Sequence, residues 1–170
     1  MTALAIVFML ITPILPVALY SCTMLSGICI AIVCEEAGVR YGGCVYAAVT
    51  FLSFLLIPDK EPVIIFMLLF GLYPVLKSVL DERKNKILKK RFIQTGIKLI
   101  YINASCAVYF FAAVYLLGVP KESFNIGELY LPWIFLLFGN VICMMYDVAL
   151  TGVTALYRLK FREKLFKGKW

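Results

Sequence analysis

The charges of this chain are gathered at the ends of long apolar tracts, and the tracts themselves carry almost none. A helix needs about 20 apolar residues to cross the hydrocarbon core of a bilayer. Six stretches approach that requirement: residues 3–20, 22–34, 44–57, 63–80, 92–118 and 129–156. Of 170 residues, 63% are hydrophobic and only 16% are charged, with a mean hydropathy of +0.93. A water-soluble domain of this length has too much surface to cover with so few polar side chains. The sequence therefore predicts one all-α domain, a polytopic transmembrane bundle of about six spans in contact with the lipid bilayer.

Two basic runs set the expected orientation. One forms the linker 81–91, with Arg83, Lys84, Lys86, Lys89, Lys90 and Arg91; the other fills the tail 157–170, from Arg158 to Lys169. With both termini inside, these runs, Arg40, Lys77 and Lys98 all fall on the cytoplasmic side. The outer loops keep only Lys60 and Lys121, beside Asp59, Glu61, Glu122 and Glu128. That asymmetry matches the positive-inside rule and places the chain in a plasma membrane, with both ends in the cytoplasm. The net charge of +7 is thus explained by topology and lipid head groups, and nucleic acid is not expected as a partner. Tracts 22–34 and 44–57 are short for full crossings. Pro13 and Pro16 predict a kink in the first tract, and the break near Tyr20 and Ser21 is the least marked boundary, so that four or five crossings are the alternative to six. Leu19-Tyr20-Ser21-Cys22 has the outline of a lipoprotein cleavage site. The first nine residues lack the basic residues such a leader needs, and Tyr20 is too bulky for its place.

Catalytic and metal chemistry find little support. There is no histidine, which removes the commonest general base and metal ligand. The six cysteines, Cys22, Cys29, Cys34, Cys44, Cys106 and Cys143, form no Cys-x-x-Cys pair and read as small packing residues. No phosphate-binding glycine loop or hydrolase elbow is present, so neither an enzyme nor a cofactor is expected.

Polar residues inside the spans are costly and need a reason. Asn140, Asp147, Thr151 and Thr154 recur at helical spacing on the last span, as do Gln94, Lys98, Tyr101, Ser105 and Tyr109 on the fifth. Tyr73 and Lys77 share a face of the fourth. Asp147, Lys77 and Lys98 fall at one depth on the cytoplasmic side, so an intramembrane ion pair is allowed. It would serve as a structural clamp or as a coupling site. In the outer half, Asn140, Tyr109, Trp133 and Tyr130 form a candidate small-molecule pocket, with an interfacial aromatic belt as the alternative for Tyr130 and Trp133. Gly27 and Ala31 make a small-xxx-small face on the second span, with its partner left open.

Phe70-Gly71-Leu72-Tyr73-Pro74-Val75-Leu76-Lys77-Ser78, followed by a charged linker, resembles a signature of small uncharacterised bacterial integral membrane proteins. The stretch Tyr146-Asp147-Val148-Ala149-Leu150-Thr151 resembles the same group. That group is similar in size and span number to the S components of energy-coupling factor (ECF) vitamin transporters. The resemblance implies a six-helix subunit that captures a vitamin-like micronutrient from outside and docks on a transmembrane coupling subunit driven by ATPases. The Ala-x-x-x-Ala docking motif of that family's first helix is not present, since Ala3 and Ala5 are spaced differently. The alternative reading is a non-transporting scaffold of the cell envelope, similar to the cell-shape membrane protein MreD.

Overall fold

A computed structural model describes residues 1–13, 19–83, 91–115, 118, 125–126, 129–130 and 132–161, with backbone only at 82–83, 91–93, 125–126, 129–130, 132–136 and 160–161. Apart from a two-residue antiparallel pairing of Asn125–Ile126 (β1) with Leu129–Tyr130 (β2), the described elements are helical. They are α1 (Thr2–Ile11), α2 (Leu19–Ala37), α3 (Val39–Leu56), α4 (Glu61–Ile65), α5 (Leu72–Arg83), α6 (Arg91–Tyr115) and α7 (Pro132–Leu156). A π turn, Phe66–Phe70, joins α4 to α5, and a second, Tyr157–Phe161, extends α7.

Among the described residues, five helical stretches are long and apolar enough to cross a membrane: Leu19–Ala37, Val39–Leu56, Glu61–Asp81, Gln94–Tyr115 and Leu137–Leu159. The first expected span is the exception. Its described helix, α1, has 10 residues, and at about 1.5 Å each it covers half a hydrocarbon core. Pro13 is why it stops. It has no N–H for the Met9 carbonyl four residues back, and that carbonyl is taken instead by the Thr12 hydroxyl at 2.6 Å. The second and third spans are longer than their apolar tracts, because the helices continue through Glu35, Glu36 and Arg40. Charged side chains at a helix end can reach the head groups without ending the helix. A single residue, Gly38, separates α2 from α3 with φ 93° and ψ 166°, a conformation open essentially to glycine.

α2 is the central helix, packed against α1, α3, α5 and α7. Its buried face is built of small side chains, including Cys22, Ser26, Gly27, Cys29 and Ala31. Without a hydrophobic force between helices in lipid, close backbone approach is what such a face provides. A Cβ on Gly27 would overlap both the Phe70 carbonyl and the Tyr146 hydroxyl, so the partner of this small-residue face is internal. The Ser26 hydroxyl donates to Ala5 O of α1 at 3.0 Å. Large apolar side chains point outward in quantity: Phe51 and Leu55 of α3, Ile100 and Phe111 of α6, Met145 and Val148 of α7 are all exposed. An apolar periphery of this kind is the complement of lipid.

The π turn gives the fourth span its role. In a regular helix the Gly71 N–H would bond Met67 O; here it bonds Phe66 O at 2.6 Å. Pro74 has no N–H to give Phe70 O. The carbonyls of this turn are served from outside by three tyrosines on three other segments. Tyr46 of α3 donates to Met67 O at 3.0 Å, Tyr101 of α6 to Leu68 O at 2.5 Å, and Tyr146 of α7 to Phe70 O at 3.0 Å. In lipid no water can take their place.

Candidate functional site

α2, the α4–α5 span and α7 run in the same direction, so their carboxyl ends meet at one end of the bundle. At the opposite end the turn Pro58–Lys60 joins α3 to α4. There Lys60 Nζ caps α3 through Phe54 O and Ile57 O, each at 2.7 Å, and Tyr109 donates to Glu61 Oε1 at 3.0 Å.

Three charged side chains meet inside the bundle, toward the carboxyl ends of α2, α5 and α7. Lys77 of α5 reaches Asp147 Oδ1 of α7 at 2.7 Å, and Lys98 of α6 reaches Asp147 Oδ2 at 2.9 Å. Their side chains are 14%, 22% and 27% exposed for Lys77, Lys98 and Asp147, so the set is largely withdrawn from the surface. Lys77 also donates to Asp147 O at 2.9 Å and to Thr151 Oγ1 at 2.6 Å, which occupies all three of its N–H bonds. Thr151 in turn donates to Asp147 O at 2.8 Å. Tyr73 is buried beside the same carboxylate without a hydrogen bond of good geometry. From the midpoints of their spans, Lys77 and Lys98 are displaced about 9–10 Å toward this end, whereas Asp147 stands beside the midpoint of Leu137–Leu159. Two ammonium groups thus share one carboxylate, and three spans are tied at a single level.

Beyond Lys77 the interior opens into a polar pocket of about 160 Å³ between α2, α5 and α7, whose walls include Glu35, Ser78, Asp81, Thr154 and Arg158. At its rim Arg158 donates Nε and Nη2 to Glu35 Oε2, at 2.8 and 2.5 Å. Neither Glu35 nor Arg158 belongs to the sites expected from sequence. Their meeting depends on how α2 and α7 cross, for which the sequence carries no signal.

Of the residues expected to form an outer pocket, Asn140 and Tyr109 have described side chains, and these meet different neighbours. Asn140 donates through Nδ2 to Asn103 Oδ1 at 2.9 Å, joining α7 to α6 on the outer surface of the pair. Tyr109 instead borders an apolar cavity of about 100 Å³ with Tyr20, Phe70 and Cys143, and Asn140 does not line it. The side chains of Tyr130 and Trp133 lie outside the described residues. Among the described residues no three Cys, Asp or Glu side chains cluster as a metal site would require. Compared with known proteins, the chain matches no family model, no curated protein and no solved structure.

Proposed function

We propose that the chain is a non-enzymatic integral membrane subunit of a micronutrient uptake transporter, S-component-like, in the bacterial plasma membrane with both termini in the cytoplasm. The observation that carries this reading is the Lys77–Asp147–Lys98 set. Ionisable residues inside a span are rare and usually belong to a pathway or a coupling device. Here they link α5, α6 and α7, so a shift of one span toward a transmembrane coupling subunit is felt by the other two. The end of the bundle bearing Arg40 and Arg158 continues in sequence into the two basic runs, and the positive-inside rule supports reading it as the cytoplasmic end. Both termini inside requires the first tract to complete a crossing, to which α1 contributes 10 residues.

A second reading, a scaffold of the cell envelope, is favoured by the small size of the apolar cavity near Tyr109. About 100 Å³ falls below the roughly 300–1,000 Å³ of small-molecule pockets, and the larger apolar groove of about 530 Å³ between α2 and α7 is lined by neither Tyr109 nor Asn140. Native mass spectrometry of the protein extracted with its partners separates the two. A vitamin-sized ligand together with a coupling subunit and ATPases supports uptake, whereas cell-envelope proteins without ligand support scaffolding. Protease that removed the basic tail from outside intact cells would overturn the orientation.

A further inference from the structure

One face of α6 is turned away from the bundle. Gly96, Ile100, Asn103, Ala107, Phe110 and Val114 follow one another along it at alternating steps of four and three, and none of them is buried. On a helix that spacing draws a single seam. The inward side chains Gln94, Ser105 and Tyr109 lie on the opposite side of the helix.

Apart from Asn103 the seam is apolar, and acyl chains satisfy it. Asn103 stands about 2 Å from the midpoint of the Gln94–Tyr115 span, where water does not reach, and its side chain is too short to extend to the head groups. Two hydrogen bonds hold its carboxamide. Nδ2 donates to Leu99 O at 2.9 Å, and Oδ1 accepts from Asn140 Nδ2 at 2.9 Å. The contact with a carbonyl fixes which end of the amide is nitrogen. A carboxamide has two N–H donors and two oxygen lone pairs. Among the described residues, one donor and one acceptor of Asn103 therefore remain unused, on an exposed side chain at mid-bilayer depth. Such groups are costly to leave in hydrocarbon.

The complement they need offers both an acceptor and a donor at the same depth. Two copies of this chain in one membrane share their orientation, so a two-fold axis between them runs along the membrane normal and sets each seam residue opposite its own counterpart. A charged residue there would repel itself, whereas a carboxamide is its own complement. Gly96 and Ala107, on either side of Asn103, let two backbones approach. Steps of four and three are also the pattern of left-handed helix pairs, in which a single asparagine in the seam fixes register and oligomeric state.

We propose that the chain forms a parallel homodimer through this seam of α6, with the two Asn103 carboxamides joined by reciprocal hydrogen bonds across the two-fold axis. Such a dimer requires only that the chain span a membrane, and it is compatible with either reading of the function above.

The test is energy transfer between two populations of the full-length protein, carrying donor and acceptor dyes at the carboxyl terminus, co-reconstituted in phosphatidylcholine vesicles over a range of protein-to-lipid ratios. Transfer should exceed that of random crowding and follow a monomer–dimer curve. Asn103→Leu should raise the ratio needed for half-dimerisation roughly tenfold, the worth of interhelical hydrogen bonds in lipid. Ala107→Phe places a ring at the point of close approach and should abolish transfer. It alters an exposed position and leaves the Asn103–Asn140 bond in place, so the test stands even if Asn103→Leu fails to fold. Phe51→Leu, exposed on α3, should leave the curve unchanged. Monomers at every ratio would mean that lipid, or a different protein in the cell, covers the seam; that result overturns the dimer and leaves both readings of the function standing. A folded Asn103→Leu or Ala107→Phe protein that dimerises at the wild-type ratio overturns it as well.

Discussion

Replacing Asp147 with Asn keeps the side-chain volume and removes the carboxylate that two ammonium groups share. The two lysines do not lose equally. Lys77 keeps Asp147 O and Thr151 Oγ1, at 2.9 and 2.6 Å, whereas both contacts of Lys98 are to the carboxylate, at 3.1 and 2.9 Å. Removing one partner of a buried pair costs about 3–5 kcal/mol, and an exposed pair contributes about 0.2–1 kcal/mol. With side chains 14–27% exposed and Lys98 able to stretch toward the head groups, the expected cost falls between, at roughly 2–3 kcal/mol. For a chain of this size that lowers the melting temperature by roughly 5–10 °C. Thermal unfolding in detergent, followed by far-UV circular dichroism, reads it. Lys98→Met should cost less than Asp147→Asn, because it leaves a neutral Lys77–Asp147 pair. The double variant should be about 1 kcal/mol or more better than the sum of the single costs. A stability change for Asp147→Asn within about 0.5 kcal/mol of zero, or strict additivity, would refute the cluster as a coupled unit.

The same measurement checks three further expectations. Tyr146→Phe leaves Phe70 O without a donor and should cost about 1–3 kcal/mol; adding Pro74→Ala, which restores an N–H to that carbonyl, should recover most of the loss. Gly38→Ala forces a side chain into φ 93° and should cost about 1–3 kcal/mol. Gly27→Ala drives a Cβ into the Phe70 carbonyl and should cost about 1–3 kcal/mol, while Gly96→Ala, with nothing within 4 Å of its added Cβ, should be neutral or stabilising by about 0.5–1 kcal/mol.

What the sequence reveals depends on whether a feature is fixed within one helix or by the meeting of several. Helical rise along the expected spans brings Lys77, Lys98 and Asp147 near one depth on paper, and the crossing of α7 with α5 and α6 completes their meeting. In the first tract Pro13 is legible as a break in the backbone, and the described helix ends beside it. Apolarity alone shortens α2 and α3, since Glu35 and Arg40 stop a hydropathy tract without stopping a helix. Pro74 announces that Phe70 O will need a donor, but whether it comes from Tyr146, Tyr101 or Tyr46 depends on three helix crossings. Depth and chemistry group Asn140 with Tyr109. Its partner, Asn103, stands about 200° around α6 from the Tyr101 stripe, on a face with no polar pattern to mark it.

These bonds converge on the α4–α5 span and say most about α7. Only 17% of α7's apolar stretch is buried, against 44% for the α4–α5 span. Apolar contact in lipid gives little preference for protein over acyl chain, so α7 is held chiefly by adjacent polar residues: Tyr146 on Phe70 O, Asp147 on Lys77 and Lys98, and, farther along, Arg158 on Glu35. Bonds of this kind are directional and few. They break within a small displacement, where a packed apolar face would yield gradually. The placement of α7 therefore depends on a few polar bonds beside the buried Cys143, Tyr146 and Leu150, and Arg158, which fastens its far end, is also the rim of the α2–α5–α7 pocket.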